Sequence, residues 1–246
     1  MHEYTRTTGC LMAFLARALD DSSAAPCGRC ANCRGKGLPV SADPALVLEA
    51  SRFLRGESRP IAPRRRWPSD PGSQPTGKIE HPNEPGFTLC TYGDAGWGRA
   101  VHDGKYGTGE FSDELVEASV QLLRRSLVGP GRPEWVTALP SAARPNMVAS
   151  LARRIARGLG IPFVDVLSVR AGAEPQKMME NSSMQFSNAL HKLDLLADRV
   201  LPGAVLLVDD VVDSRWTLTV AGWLLRSSGS GPVVPFALAV ATSAGS

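Results

Sequence analysis

Val205-Leu206-Leu207-Val208-Asp209-Asp210-Val211-Val212-Asp213-Ser214-Arg215-Trp216-Thr217 is the stretch on which the fold turns. Its unbroken apolar opening reads as a parallel strand buried on both faces. Two acids follow, then a short polar turn that opens a helix over residues 216–227. Open α/β sheets bind ligands at the carboxyl ends of their strands. Paired carboxylates are costly at that edge unless they meet hydroxyls, a cation or water. The vicinal hydroxyls of a ribose together with a magnesium ion meet that need. The turn at Asp213, Ser214, Arg215, Trp216 and Thr217 offers free N–H groups and a positive dipole end to a phosphate. Diol-binding acids beside a phosphate cradle describe a site for a 5-phosphoribosyl group. An ordinary strand ending in solvated acids before a helix cap has the same pattern, and the segment alone does not separate the two.

Working outward, residues 135–139 and 163–169 read as further strands, and Val233 to Val240 as a last one. Amphipathic helices are expected from Ser112, a capping residue followed by two acids, to Leu127, and from Pro145 to Leu159, stopped by Gly160. Strands separated by helices imply a parallel sheet with right-handed crossovers. Residues 171–189 are polar and are expected to form a long loop. Upstream, residues 4–20 have helical spacing, and Asp43-Pro44 starts a second helix. Residues 56–88 are rich in Pro, Gly, Ser and Arg and read as a linker, with short strands near 63–67 and 76–80. The expected organisation is a metal subdomain over 1–38, a helix and linker over 39–88, and an α/β domain over 89–246.

The 246 residues carry 27 basic and 24 acidic side chains, so net charge says little about nucleic acid. Its distribution says more, because Arg52, Arg55, Arg59, Arg64, Arg65 and Arg66 cluster. Such a cluster suits phosphates or simply forms a solvated face. With 43% hydrophobic residues a real core is available, and no apolar run reaches the length of a membrane span. Cys10, Cys27, Cys30 and Cys33 have the spacing of a tetrahedral zinc site, and Gly28 supplies the backbone freedom that the knuckle needs. No secretory signal is evident, so a reducing cytoplasm fits thiolates better than a disulfide framework. Cys90 reads as a packed thiol. The four histidines lack ligand spacing, and Trp97, Trp135 and Trp223 read as packing residues; Trp216, in the polar turn, reads as a residue that stacks on a base or ribose or, more safely, as another packing residue. Gly72, Gly77 and Lys78 match a phosphate-loop spacing, but they sit in a proline-rich linker, and Ile79 follows where Ser or Thr is needed.

The segment Val208 through Thr217 resembles the phosphoribosyl-diphosphate signature of type I phosphoribosyltransferases. The resemblance implies that Asp209 and Asp210 bind ribose hydroxyls, while Asp213, Ser214, Arg215, Trp216 and Thr217 form the 5′-phosphate loop. Arg215 stands where the family usually has glycine. The loop after the first central strand resembles the family's pyrophosphate loop, with Ser141 and Arg144 as its contacts. Residues 176–188 are similar to the flexible loop of the competence-type branch, with Gln176 and Asn188 retained and no arginine between them. These departures favour binding over turnover. Magnesium arriving with phosphoribosyl diphosphate is the implied cofactor.

Residues 4–33 resemble the zinc-binding subdomain of RecQ-family DNA helicases. Tyr4, Cys10 on a helix, and Cys27-Gly28-Arg29-Cys30-Ala31-Asn32-Cys33 match in spacing and in residues that are not ligands. The whole chain is similar to the carboxyl-terminal part of RecQ-like proteins that end in a phosphoribosyltransferase-like domain. That resemblance implies zinc, DNA as partner through a helicase context, and a motor encoded elsewhere or acting as a separate chain. The expected fold is thus α/β, a type I phosphoribosyltransferase-like parallel sheet flanked by helices, with a small helical zinc-binding subdomain. The expected function is a DNA-associated helicase fragment without its motor. The alternative is a magnesium-dependent phosphoribosyltransferase or a phosphoribosyl-diphosphate-binding protein.

Overall fold

A computed structural model describes residues 2–37, 42–69, 74–129, 131–141, 143–170 and 182–241. The chain divides into two compact units, Met1–Ala50 and Ser51–Ser246.

The first unit contains three short helices, α1 (His2–Arg6), α2 (Leu11–Ala18) and α3 (Ala31–Arg34). The single helix expected over 4–20 is broken before Cys10. Cys10 sits outside the helical backbone at the cap of α2, where its sulfur accepts from the Ala13 N–H. Cys30 caps α3 in the same way through the Cys33 N–H, and Gly35 ends that helix in the left-handed region. Helix α4 (Pro44–Gly56) bridges the two units in sequence, with Asp43 Oδ1 accepting from the Ala45 N–H at its start.

The second unit is an α/β fold with a mostly parallel sheet flanked by helices. Its strands are β1 (Arg59–Ile61), β2 (Gly86–Thr91), β3 (Trp135–Ala138), β6 (Val205–Val212) and β7 (Val233–Val240), in the order β1-β2-β7-β6-β3. All pairings are parallel except β1 with β2, and Phe163 bridges to Val136 beside β3. Helices α5 (Gly98–Asp103), α6 (Asp113–Ser126), α7 (Met147–Leu159), α8 (Ser182–Lys192) and α9 (Trp216–Ser227) complete it. Strands β4 (Leu167–Val169) and β5 (Leu193–Leu195) form a separate antiparallel pair.

Strand alternation explains the layers. Val136, Ala138, Leu206, Val208, Val234 and Phe236 join one buried cluster with α5, α6 and α7. Trp135, Val205, Leu207, Val233 and Ala237 join the other, with α8 and α9. Each Val, Leu or Phe side chain among them contributes about 1.5–3 kcal/mol by leaving water. The central strands are apolar throughout because both faces are covered. Helix α6 begins as its sequence dictates, Ser112 Oγ accepting from the Leu115 N–H, with Asp113 and Glu114 in the first turn.

Four expectations need correction. The strands expected near 63–67 and 76–80 reduce to one bridge between Arg66 and Lys78, because Pro63, Pro68 and Pro75 remove ladder donors. The sheet instead takes in residues 59–61 and 86–91. The expected strand over 163–169 is split: Phe163 makes one parallel bridge to Val136 beside β3, and residues 167–169 form β4, which pairs with β5 and not with the main sheet. Part of the loop expected over 171–189 is α8, which buries Phe186 and Ala189 three residues apart.

Candidate functional site at the carboxyl edge of the sheet

Strand β6 ends among groups that the topology brings to one edge. Asp209 and Asp210 lie near its end, and β3 beside it runs out into the loop carrying Ser141 and Arg144. Both acids bond the backbone that follows them: Asp209 Oδ1 accepts from the Asp210 N–H at 2.8 Å, and Asp210 Oδ1 from the Val211 N–H at 2.7 Å. Burial pushes the Asp209 carboxyl up to about 7, and the neighbouring Asp210 charge adds to the rise. The other Asp210 oxygen is 2.8 Å from Lys105 Nζ.

Lys105 was not singled out in the sequence. It stands on a π-helical turn, Gly104–Thr108, that continues α5. Tyr106 on the same turn lies beneath the Arg144 guanidinium, 5.0 Å from ring centre to the guanidinium carbon. His102 and Tyr92 pack alongside with tilted rings, with centroids 5.2 Å and 6.1 Å apart in the pairs His102–Tyr106 and Tyr92–His102. Burial, then Tyr106, raises the Tyr92 phenol, with Asp210 and Arg144 acting on it in opposite directions. Its hydroxyl is shielded from solvent and makes no hydrogen bond among the described residues. Ser141 Oγ accepts from the Arg144 N–H at 3.2 Å and so shapes that loop.

The loop before α9 is built around one carbonyl. Arg64 donates from Nε and Nη2 to the Ser214 oxygen at 3.0 and 2.7 Å, and its guanidinium covers the Trp216 ring at 4.0 Å. Arg215 has φ of 68°, the left-handed region that glycine occupies freely. A glycine at this position would adopt the same backbone without strain. Arg215 Nη1 donates to the Ala62 carbonyl, and its own carbonyl accepts from Thr219 Oγ1. Asp213 and Thr217 are exposed, and Ser214 is half-buried.

Trp216 follows its packing reading and not its reading as a ligand contact: it is 2% exposed and packs with Trp67 and Phe186, so its ring serves the core. Asn188 lies half-buried on α8. Gln176 lies outside the described residues. Cys90 is buried and its thiol donates to the Leu238 carbonyl, with burial pushing it up to about 12.

The first unit holds a second constellation. The sulfurs of Cys10, Cys27, Cys30 and Cys33 all lie within 4.8 Å of one another and can hold a metal ion. Cys10 and Cys30 sulfurs are 3.9 Å apart, close to the roughly 3.8 Å expected between thiolates about 2.3 Å from a tetrahedral centre. Backbone N–H groups point at the sulfurs: Cys27 to Cys10, Arg29 and Cys30 to Cys27, Cys33 to Cys30. Those from Cys27 and Ala13 hold the Cys10 thiol down at about 6. Asn32 ties the knuckle to the Cys10 turn by donating to the Thr7 and Gly9 carbonyls at 2.8 and 2.7 Å. Tyr4 packs edge-on against Phe14.

No protein-family model matches the sequence, and no curated protein matches it. Solved structures similar to it include adenine phosphoribosyltransferase from Leishmania tarentolae, 18% identical, covering 55% of this chain and 74% of that one at a TM-score of 0.36. Purine phosphoribosyltransferase from Pyrococcus horikoshii is 19% identical, covering 55% and 75% at a TM-score of 0.35. The allosteric regulatory enzyme of purine biosynthesis is 21% identical, covering 50% and 25% at a TM-score of 0.35, so this chain spans a quarter of its length. Likeness at this level does not carry a function from one protein to another. No helix among the described residues is long and apolar enough to cross a membrane.

Proposed function

We propose that the sheet domain binds a 5-phosphoribosyl ligand, with phosphoribosyl diphosphate and its magnesium ion as the fullest version of that ligand. The observation that carries this reading is the placement of Asp209 and Asp210 in the last half of a central strand, one short loop before the amino end of α9. The acids accept ribose hydroxyls. The N–H groups at the start of α9, with Arg215 at its cap, receive the 5′-phosphate. Arg144 and Ser141 in the loop after β3 take the diphosphate end. Magnesium supplies charge neutralisation of a leaving diphosphate when bound. The chain's own residues orient the sugar and hold its phosphates. A thermal-shift titration with phosphoribosyl diphosphate and magnesium tests this. A rise in melting temperature that saturates with ligand is expected, and no shift at millimolar ligand overturns it.

Zinc is the metal that suits the first unit, since four thiolates in tetrahedral reach select it. Free thiolates of this kind belong in a reducing compartment such as the cytoplasm.

A second reading places the chain beside DNA, as a module of a RecQ-like helicase whose motor is a separate chain. The specific observation in its favour is the Asn32 tie, because the resemblance includes that asparagine and the structure gives it a job. Binding of forked DNA measured against salt separates the readings. A steep loss of affinity with salt is expected if the arginine cluster engages phosphates, and a flat response counts against DNA.

A further inference from the structure

Lys105 and Asp210 form an ion pair at 2.8 Å in which both side chains are largely withdrawn from solvent, 19% and 14% exposed. The pair is not a loose surface contact. The turn that presents Lys105 is fixed at both ends. A β-carbon at Gly104 would lie 2.8 Å from Phe111 Cδ1, and Gly109 closes the turn in the left-handed region. Both Asp210 oxygens therefore face protein donors, Oδ1 the Val211 N–H and Oδ2 the ammonium. An ammonium so close to Oδ2 occupies a position from which a divalent ion would contact Asp210. It also opposes the approach of one, because the site would then hold two cations against two acids. A ribose hydroxyl meets no such obstacle, since it brings no charge and a carboxylate oxygen has a second lone pair to offer.

We propose that Lys105 is a positioning residue that acts as the resident counter-cation of the acid pair. It excludes divalent metal from Asp209 and Asp210 and reserves them for uncharged hydroxyls. This rests on the phosphoribosyl reading above and deepens it: the sugar is held without metal, and magnesium enters only on a diphosphate. Ribose 5-phosphate, which carries the diol and phosphate but no diphosphate, is then a ligand indifferent to magnesium.

The test uses manganese as a probe on the full, zinc-loaded chain, followed by electron paramagnetic resonance. Wild type is expected to take up no manganese at the acid pair at micromolar concentration. Lys105→Met is expected to gain one site at least about tenfold tighter, lost again when Asp210→Asn is added. Lys105→Arg keeps the charge and is expected to gain none. A wild-type manganese site that Asp210→Asn abolishes overturns the proposal, and this arm needs no Lys105 variant to fold. A folded Lys105→Met that gains no site overturns it equally. Calorimetry with ribose 5-phosphate is the second arm. Wild-type affinity is expected to differ by less than about twofold between metal-free buffer and millimolar magnesium, and a tenfold dependence contradicts the proposal. Absence of any ribose 5-phosphate binding defeats the phosphoribosyl reading instead, while the manganese arm still judges the role of Lys105.

Discussion

The Arg64 guanidinium grips the Ser214 carbonyl oxygen through two hydrogen bonds, 150 residues away in sequence, while its central carbon sits 4.0 Å over the Trp216 ring. A segment that reads as linker thus holds the loop that the phosphate is proposed to occupy. Arg64→Ala removes two charge-assisted bonds to a half-buried carbonyl and is expected to destabilise the domain by about 1.5–3 kcal/mol. Urea unfolding measures this. Arg64→Lys keeps the charge but not the fork and recovers less than half of the loss.

Arg215 caps α9 at a positive φ that costs a side chain about 1 kcal/mol. Comparing Arg215→Gly with Arg215→Ala isolates that cost, since both lose the exposed bond to Ala62. The glycine variant is expected to be more stable by about 1 kcal/mol. Equal stabilities in denaturant would mean that the left-handed conformation is absent in solution.

Asp209 gives the domain a defined pH response. Its folded carboxyl is pushed up to about 7 from an ordinary value of 3.8, so the folded state holds the proton more tightly than the unfolded chain. The stability from the protonated form is complete below 3.8 and drains away as pH rises to about 7. Asp209→Asn removes this loss. The variant is expected to gain on wild type by on the order of 2 kcal/mol between pH 5 and pH 8, read from unfolding midpoints at both pH values. A gap that stays constant with pH contradicts the burial of this carboxyl.

Gly222 lies within α9 where an added β-carbon would fall 1.8 Å from Asn83 Oδ1. Asn83 is buried and donates to the Leu218 carbonyl at 2.8 Å, fastening the segment before β2 to the helix. Gly222→Ala must displace Asn83 and is expected to cost about 1–3 kcal/mol, although alanine is the better helix former. Thermal unfolding of the variant checks it; an unchanged or raised midpoint contradicts the close approach.

Cys30→Ser is expected to lower zinc stoichiometry from one to zero and to unfold the first unit, leaving the sheet domain intact. Metal analysis with amide exchange resolved along the chain reads both effects. Full zinc retention would exclude Cys30 as a ligand.

Much of the sheet was legible because burial on both faces leaves a continuous apolar run, as in Val205 to Val208, and helix α6 because Ser112 and the acids after it mark its start. The cysteine cluster was legible because ligand spacing is local. What escaped depends on distance in sequence. The partners that bury Trp216, Trp67 and Phe186, are not its neighbours along the chain. Lys105 reaches Asp210 only because Gly104–Thr108 winds as a π turn, which no hydrophobic period announces. Helix α8 hid behind its serines and Asn188, with Phe186 and Ala189 too sparse to set a period. Short strands such as β1, with a proline at its centre, fall below what alternation can reveal.

A crystal of the protein grown with phosphoribosyl diphosphate and magnesium tests the sugar-phosphate edge most directly. The ribose hydroxyls are predicted on Asp209 and Asp210, and the 5′-phosphate against the backbone of residues 214–217. Ligand density elsewhere on the molecule, or none at that edge with the ligand at millimolar concentration, would contradict it.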